Sequence, residues 1–348
     1  MNVKYTIFSL LCWGLCNAAG FAGNPDRQGE AGAAQLLINP WARSAGLHTL
    51  NTSMASGVDA MYINVAGVSR INKMQVSVGN TRYLEGTGIG VNSLGFATKV
   101  GRKGGAIGIN LVSFSFGDIP VTTENAPEGT GATFSPSFVN IGLSYSHTFS
   151  NRVSVGVTAK AVNESLANIS ARAIALDAGV QYVTGPKDNF KFGISLRNVG
   201  SKMQYSGEGI AKSRPSGNVQ SYPITYYERA APYELPSQLN IGASYDFWFA
   251  RVVRWSLLGN FTSNSFSRDQ YGLGSELGWG KYFAVRLAYK NEFDQVSGQE
   301  SLDNGVSGGL TISAPFKKGS ESRLSFDYAY RTTKIYKGIH NFGIRLDL

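Results

Sequence analysis

Three histidines, His48, His147 and His340, are the side chains best suited to acid–base or metal chemistry in this 348-residue chain, and their spacing denies them both. They stand far apart, with no His-Glu-x-x-His spacing to place two ligands on one helix face. They read as single polar residues. No Gly-x-Ser-x-Gly elbow is expected, and nothing argues for the Ser and His placed together that a barrel lipase would require. Gly86, Gly88 and Gly90 could pass for a phosphate-cradling loop, but no helix follows them and the stretch alternates like a strand, so a thinned wall is the better reading. Glu292, Asp294, Glu300 and Asp303 could hold a divalent cation between them; a solvated loop explains them more simply. Cys12 and Cys16 both fall in the apolar run Thr6 to Cys16, which follows Lys4 and precedes Ala18, Ala19, Gly20 and Ala22. A bilayer-spanning helix needs about twenty residues, so this run reads as an export signal, cleaved between Ala18 and Gly23. Lipid attachment at Cys16 is the alternative, and Trp13-Gly14-Leu15 matches it poorly. Without the signal the chain has no thiol, disulfide or cysteine ligand. No catalytic centre, metal or cofactor is expected, and the chain is not expected to be an enzyme.

The elements that would position any site are strands. Composition alone, with 43% hydrophobic residues, would suit a soluble domain, but 42 Gly, 17 Tyr and 19 Phe beside three His fit short alternating strands meeting a membrane interface. The net charge of +9 is dispersed, without a basic stretch, and so gives no nucleic-acid surface. From Lys73 onward, apolar and polar residues alternate in segments of about ten to thirteen, the period of a strand with two different faces. The sets Val153, Val155, Val157, Ala159; Leu176, Ala178, Val180, Tyr182; Phe190, Phe192, Ile194, Leu196; and Leu239, Ile241, Ala243, Tyr245, Phe247 each share a face. The last segment carries Phe342, Ile344, Leu346 and Leu348 against Asn341, Gly343, Arg345 and Asp347, similar to an outer-membrane insertion signal that ends on Leu.

Fourteen such segments occur, at 73–82, 87–100, 104–116, 135–149, 152–163, 170–183, 189–199, 237–249, 252–263, 269–280, 282–292, 304–313, 322–333 and 338–348. The even count predicts a closed, all-β, antiparallel transmembrane barrel of fourteen strands in the cell outer membrane, crossed many times. Short joins at Gly101 to Lys103, Ser150 to Asn151, Gly185 to Lys187, Ala250 to Arg251 and Gly280 to Lys281 read as periplasmic turns, and the long ones, Gly117 to Phe134, Gly200 to Pro236 and Phe293 to Asp303, as extracellular loops. The opposite strand faces carry Lys160, Asp177, Lys191, Arg197, Asp246, Glu276, Arg286, Lys290, Asp327, Arg331, Arg345 and Asp347, which predicts an ion-paired lumen. Aromatics near the short turns, among them Phe149, Trp255, Trp279 and Tyr282, predict an interface girdle. A soluble β-sandwich is the competing fold, but typical soluble strands run about five to six residues. Residues 1–22 are thus read as signal, 23–72 as an N-terminal segment and lumenal hatch, and 73–348 as the barrel. The stretch Ala31 to Ile71, rich in Ala, Gly, Ser and Asn, has small side chains that let backbone pass close to a wall. A periplasmic tail is the plain alternative.

Leu36-Leu37-Ile38-Asn39-Pro40-Trp41-Ala42-Arg43-Ser44-Ala45-Gly46, then Asp59-Ala60 and Asn64-Val65-Ala66-Gly67, are followed by Ala175-Leu176-Asp177-Ala178-Gly179, Ile194-Ser195-Leu196-Arg197-Asn198-Val199-Gly200 and Glu234-Leu235-Pro236-Ser237. This order resembles the PorV/PorQ family of Bacteroidota, itself similar to the FadL-type fourteen-stranded barrels; Val65 stands where the wider FadL-type pattern has Pro. The resemblance implies a barrel that assists type IX protein secretion or surface attachment of cargo, with translocon or attachment-complex proteins and secreted cargo as partners beside outer-membrane lipids. It also implies a hatch motif at Asn39, Pro40, Arg43, Asp59, Asn64 and Gly67. Such a barrel needs apolar and aromatic residues on its outer loops. Tyr205, Tyr222, Tyr226, Tyr227 and Tyr233 offer them in one loop, and Ile119, Pro120, Val121 and Pro127 in another, unless the loops fold back into the lumen. The alternative, a FadL-like transporter of small hydrophobic compounds, needs instead an apolar pocket reaching a movable hatch.

Overall fold

The structure, a computed structural model, describes residues 23–101, 104–150, 152–216, 222–249, 252–293, 301–302, 304–316 and 321–348. The signal read into residues 1–22 lies outside them. Fourteen long strands follow in order: β1 (Met74–Tyr83), β2 (Ile89–Val100), β3 (Gly105–Ser115), β4 (Ser137–Phe149), β5 (Val153–Leu166), β6 (Ile169–Thr184), β7 (Phe190–Gly200), β8 (Gln238–Phe249), β9 (Val253–Asn264), β10 (Gln270–Trp279), β11 (Phe283–Glu292), β12 (Gly305–Pro315), β13 (Arg323–Arg331) and β14 (Ile339–Asp347). Each pairs antiparallel with its neighbours, and β14 returns to β1 with Asp347 opposite Gln75 and His340 opposite Arg82, which closes the barrel. Closure leaves no strand edge unpaired.

Alternation is what the two surroundings impose. On the outer face Leu143, Ile174 and Leu273 are 62%, 67% and 70% exposed, while the residues beside them in sequence, Ser144, Ala175 and Gly272, point inward and are buried. An apolar belt of this kind is stable only against lipid. The strands run from 9 to 16 residues, long enough to cross a bilayer at a tilt. Phe149, Trp279, Tyr282 and Phe283 stand exposed at the short-turn end, as an interface girdle requires.

The ends of the strands depart from expectation where pairing continues into supposed loops. β5 runs to Leu166, and only Ala167 and Asn168 separate it from β6, so the join expected at 164–169 is a tight hairpin with Ala167 at φ 48°. The long 200–236 join is not free chain: Ser206–Gly207 adds to β6, and Ala211–Pro215 pairs with Pro223–Tyr227. A bulge interrupts β6 and β7, where the register slips between Leu176 and Ala178. There Asp177 accepts from the backbone N–H of Asn198 (2.8 Å), itself left-handed at φ 58°.

Residues 24–71 enter the lumen from the long-loop end and leave at the short-turn end. Gly32 donates to the Glu234 carbonyl in the outer loop (3.0 Å), whereas Arg70 reaches the carbonyl of Arg152 beside a short turn (3.3 Å). The segment coils as short pieces, with α1 (Ala42–Ala45), α2 (Ala60–Ile63) and 3-10 turns at Ala34–Leu37, Gly57–Asp59 and Val65–Ser69. None could persist alone, because helices this short need tertiary packing. The core is the seam between this hatch and the wall: Trp41, Val58, Met61, Ile63, Val65 and Val68 pack with Ala97 and Ala106 of β2 and β3. Among the described residues no helix is long and apolar enough to cross a membrane.

Candidate functional site

The six hatch residues singled out in sequence all fasten the hatch. Asn64 donates to the carbonyls of Thr52 (3.0 Å), Val180 (3.0 Å) and Ile194 (3.3 Å), and its Oδ1 accepts from Ala66 N–H (3.2 Å), capping the turn Val65–Ser69. One side chain thereby joins two wall strands to the plug. A Cβ on Gly67 would sit 2.0 Å from the Ala55 carbonyl oxygen, so only glycine fits. Asn39 accepts from Trp41 N–H (3.0 Å), and its carbonyl accepts from Asn341 of β14 (3.2 Å). The Pro40 carbonyl abuts Gly79 of β1, 3.0 Å from where a Cβ would stand. Arg43 donates to Ser56 Oγ (2.9 Å) and lies 3.4 Å from Asp59, which accepts from Ser44 Oγ (3.0 Å).

The plug divides the lumen in two. At the long-loop end a cavity of about 330 Å³ lies among Leu37 and Ile38 of the hatch and Tyr83, Gln270, Glu292, Leu302 and Arg331. Ile38 and Tyr83 also pack onto an apolar cluster of Val91, Val112, Phe114, Phe116 and Phe138. At the short-turn end a cavity of about 350 Å³ is bounded by Arg43, Leu47, Asn51 and Met54 of the hatch and by charged wall residues including Glu276 and Arg286. Between them a void of about 20 Å³ lies beside His48, Thr49 and Leu50. Leu47, Leu50, Leu258 and Ala288, with Met54, form an apolar septum there. The septum leucines flank a strained turn, since His48 and Thr49 are both left-handed at φ 51° and 66°. For a β-branched residue such as Thr that backbone is an outlier, costing roughly 1–2 kcal/mol.

Most of the lumenal charges expected from sequence form ion pairs, while Arg197 instead donates to the Leu36 carbonyl (3.3 Å) and lies over the Tyr62 ring. Lys160 bridges Asp177, Lys191 bridges Asp246 (2.6 Å), Glu276 takes Arg286 (2.6 Å) and Arg254, and Arg345 lies 3.4 and 3.3 Å from Asp327 and Asp347. Among the lumenal charges missed in sequence are Arg254 and Glu164. Continuing the strand parity, from Ser256 back and from Lys160 on, would have found both.

Glu164 explains part of the tyrosine loop. It is buried and accepts from Tyr205 (2.5 Å), Tyr233 (2.9 Å) and Gln35 of the hatch (2.7 Å). Burial, then the hydrogen bond to this carboxylate, pushes the Tyr205 hydroxyl up to about 12, and the same causes raise Tyr233. These two rings face inward as a latch and leave the proposed partner surface. Tyr222 and Tyr227 remain exposed, and Tyr226 stacks under Arg214 (5.3 Å). Of the candidate acidic cluster, Glu292 is bonded to Gln270 (3.3 Å) in the wall, and Asp294, Glu300 and Asp303 lie outside the described residues. Among the described residues no three metal-ligating side chains cluster. Gly305-Val306-Ser307-Gly308-Gly309, passed over in sequence, spells a nucleophile elbow but lies within β12 with no helix after it, and Ser307 donates to the Gly46 carbonyl (3.2 Å).

No protein-family model matches the chain, and no curated protein matches it. Solved structures do. The CymD monoaromatic hydrocarbon channel superposes with a TM-score of 0.52 at 14% identity, over 89% of this chain and 97% of that one. The Ralstonia pickettii toluene transporter TbuX gives 0.50 at 13%, over 89% and 97%. A TodX monoaromatic hydrocarbon channel mutant gives 0.50 at 12%, over 88% and 97%. These neighbours are transport channels, not enzymes. They overturn the PorV/PorQ resemblance and, with it, the type IX secretion or cargo-attachment role. The reason is physical: the residues that carried it, from Asn39 to Gly67 and at Asp177, Asn198 and Glu234, are fasteners between hatch, wall and loop. Their order reports how this segment is fastened inside a barrel whose fold these channels share. The chain is a closed, FadL-like, fourteen-stranded barrel that crosses the outer membrane many times.

Proposed function

We propose that this barrel is a passive outer-membrane channel for small hydrophobic compounds, with monoaromatic hydrocarbons as the first class to test, and that it performs no covalent chemistry. The observation that carries the reading is the apolar septum of Leu47, Leu50, Leu258 and Ala288 between two lumenal cavities. A solute leaving the outer medium meets Leu37, Ile38 and Tyr83, then the septum, and each contact favours an apolar body over a hydrated one. Burial holds the gate shut: two buried leucines are worth roughly 3–6 kcal/mol. Backbone strain at His48 and Thr49 offsets about 2–4 kcal/mol of that. A bound apolar solute that takes over the leucine contacts would shift the turn toward an open form. Asn39, Pro40, Asp59, Asn64 and Gly67 act as fixed fasteners around the moving turn, and Arg43 tethers its inner side. Outer-membrane lipid is the partner of the outer wall, with the short-turn end toward the periplasm.

Uptake of labelled toluene by cells lacking a hydrocarbon channel of their own tests the reading. Cells producing the barrel are expected to take up toluene faster, and Leu50→Ala, which opens the septum, faster still. Equal uptake with and without the barrel would refute it.

A further inference from the structure

Passage of an apolar solute leaves the cations at the short-turn end of the lumen without a role, and they gather around one void. The cavity of about 350 Å³ is walled by Arg43 of the hatch and by Arg254, Arg286 and Arg345 of β9, β11 and β14, with Arg70, Lys191 and Lys281 nearer the turns. Among the described residues only two carboxylates, Asp188 and Glu276, share that lining. The other acids that pair with these cations stand behind them: Asp59 is 3.4 Å from Arg43, Asp246 is 2.6 Å from Lys191, and Asp327 and Asp347 are 3.4 and 3.3 Å from Arg345. A network of ion pairs closed on itself would present both signs to the void. This one presents cations.

Donors remain to be used. Arg43 engages Asp59 and Ser56 through Nε and Nη2, and Arg286 engages Glu276 and Thr311 through Nε and Nη1. A guanidinium carries five N–H donors. Arg345 is only 8% exposed, yet its Nη1, although near Asp327, has no hydrogen-bond partner. Buried charged donors are rarely left so, because an unmade bond there is unfavourable. Arg43 stands close enough to Arg286 and Arg345 to feel both charges.

We infer that this cavity is a binding site for a small oxyanion, a phosphate or carboxylate group held between Arg43, Arg286 and Arg345. Planar guanidinium forks match two oxygens at once, and a cleft with low-dielectric walls strengthens the attraction. Bound anion would also relieve the repulsion among the three guanidiniums. The site opens toward the short turns, below the septum, and so is independent of whether hydrocarbons pass.

Calorimetric titration of the full barrel in detergent, with inorganic phosphate and separately with benzoate, tests the inference. Saturable one-to-one binding of at least one anion is expected, weakened about tenfold or more in Arg43→Gln, partly recovered in Arg43→Lys and unchanged in Lys212→Gln on the exposed outer hairpin. Binding of phosphate alone marks an inorganic ligand, and binding of benzoate alone a carboxylate. Should Arg43→Gln lose the heat-modifiable gel migration of a folded barrel, Arg286→Gln replaces it, since Glu276 then keeps Arg254; the same weakening is expected. No saturable binding of either anion by the folded wild-type barrel would overturn the inference, as would unchanged binding in both arginine variants.

Discussion

Single residues in this barrel were legible when their chemistry admits one use. The small side chains of the hatch could be marked for close approach to the wall, and Gly67, named in sequence only through the family resemblance, shows it, because the Ala55 carbonyl fills the place of a Cβ. Tyrosines admit two uses, an exposed ring or a buried ring with a bonded hydroxyl, and sequence does not choose between them. Tyr205 and Tyr233 turn inward because a buried carboxylate, Glu164, stands under them and takes its hydrogen bonds from neutral donors, Gln35, Tyr205 and Tyr233. That arrangement has a pH signature. The Tyr205 hydroxyl is raised from 10.0 to about 12, so its neutral form is favoured in the folded state. Its contribution is fully present below about pH 10, the unfolded value, and is lost as pH rises through about 12. In a titration followed by phenolate absorbance, subtracting Tyr205→Phe from wild type is expected to isolate one group ionising near pH 12. A difference curve centred on the ordinary tyrosine value would show the latch to be absent.

Elements were legible in proportion to the regularity of their surroundings. A strand between lipid and a polar lumen must alternate at every residue, so β1 to β14 could be bounded within a few positions from sequence alone. The hatch has no such period. It contacts wall on all sides, and its pieces, such as α1 (Ala42–Ala45) and the turn Val65–Ser69, are set by which carbonyls and glycines the wall offers. Nothing in Leu47-His48-Thr49-Leu50 announced two successive left-handed residues, since neither is Gly or Asn. That turn carries an expectation of its own. Thr49→Gly removes strain of about 1–2 kcal/mol, offset in part by a more flexible open state. The hatch is therefore expected to be modestly stabilised, by about 1 kcal/mol or less, read as slower protease cleavage within 43–56. Faster cleavage would mean that the turn is not strained as described.

At the scale of the whole molecule, strand count, closure and membrane location followed from periodicity, while function did not, because one plugged barrel can serve secretion or transport alike. The order of hatch and wall motifs was read as kinship with secretion barrels; it reflects how any segment of about forty residues must be fastened inside fourteen strands. What distinguishes a channel is a path, and the path proposed here runs through the hatch at the septum of Leu47 and Leu50. Ser53 of the hatch donates to Ser244 of β8 at 3.0 Å, both buried, so cysteines at these two positions would bring their sulfurs together between hatch and wall. The sequence has only Cys12 and Cys16, both within the expected signal, so the new pair would have no competitor. The most direct measurement is toluene uptake into proteoliposomes carrying Ser53→Cys/Ser244→Cys, oxidised and then reduced. Low uptake when the hatch is bonded to the wall, restored on reduction to the wild-type rate, is the result expected; uptake equally fast in the bonded barrel would contradict passage through the hatch.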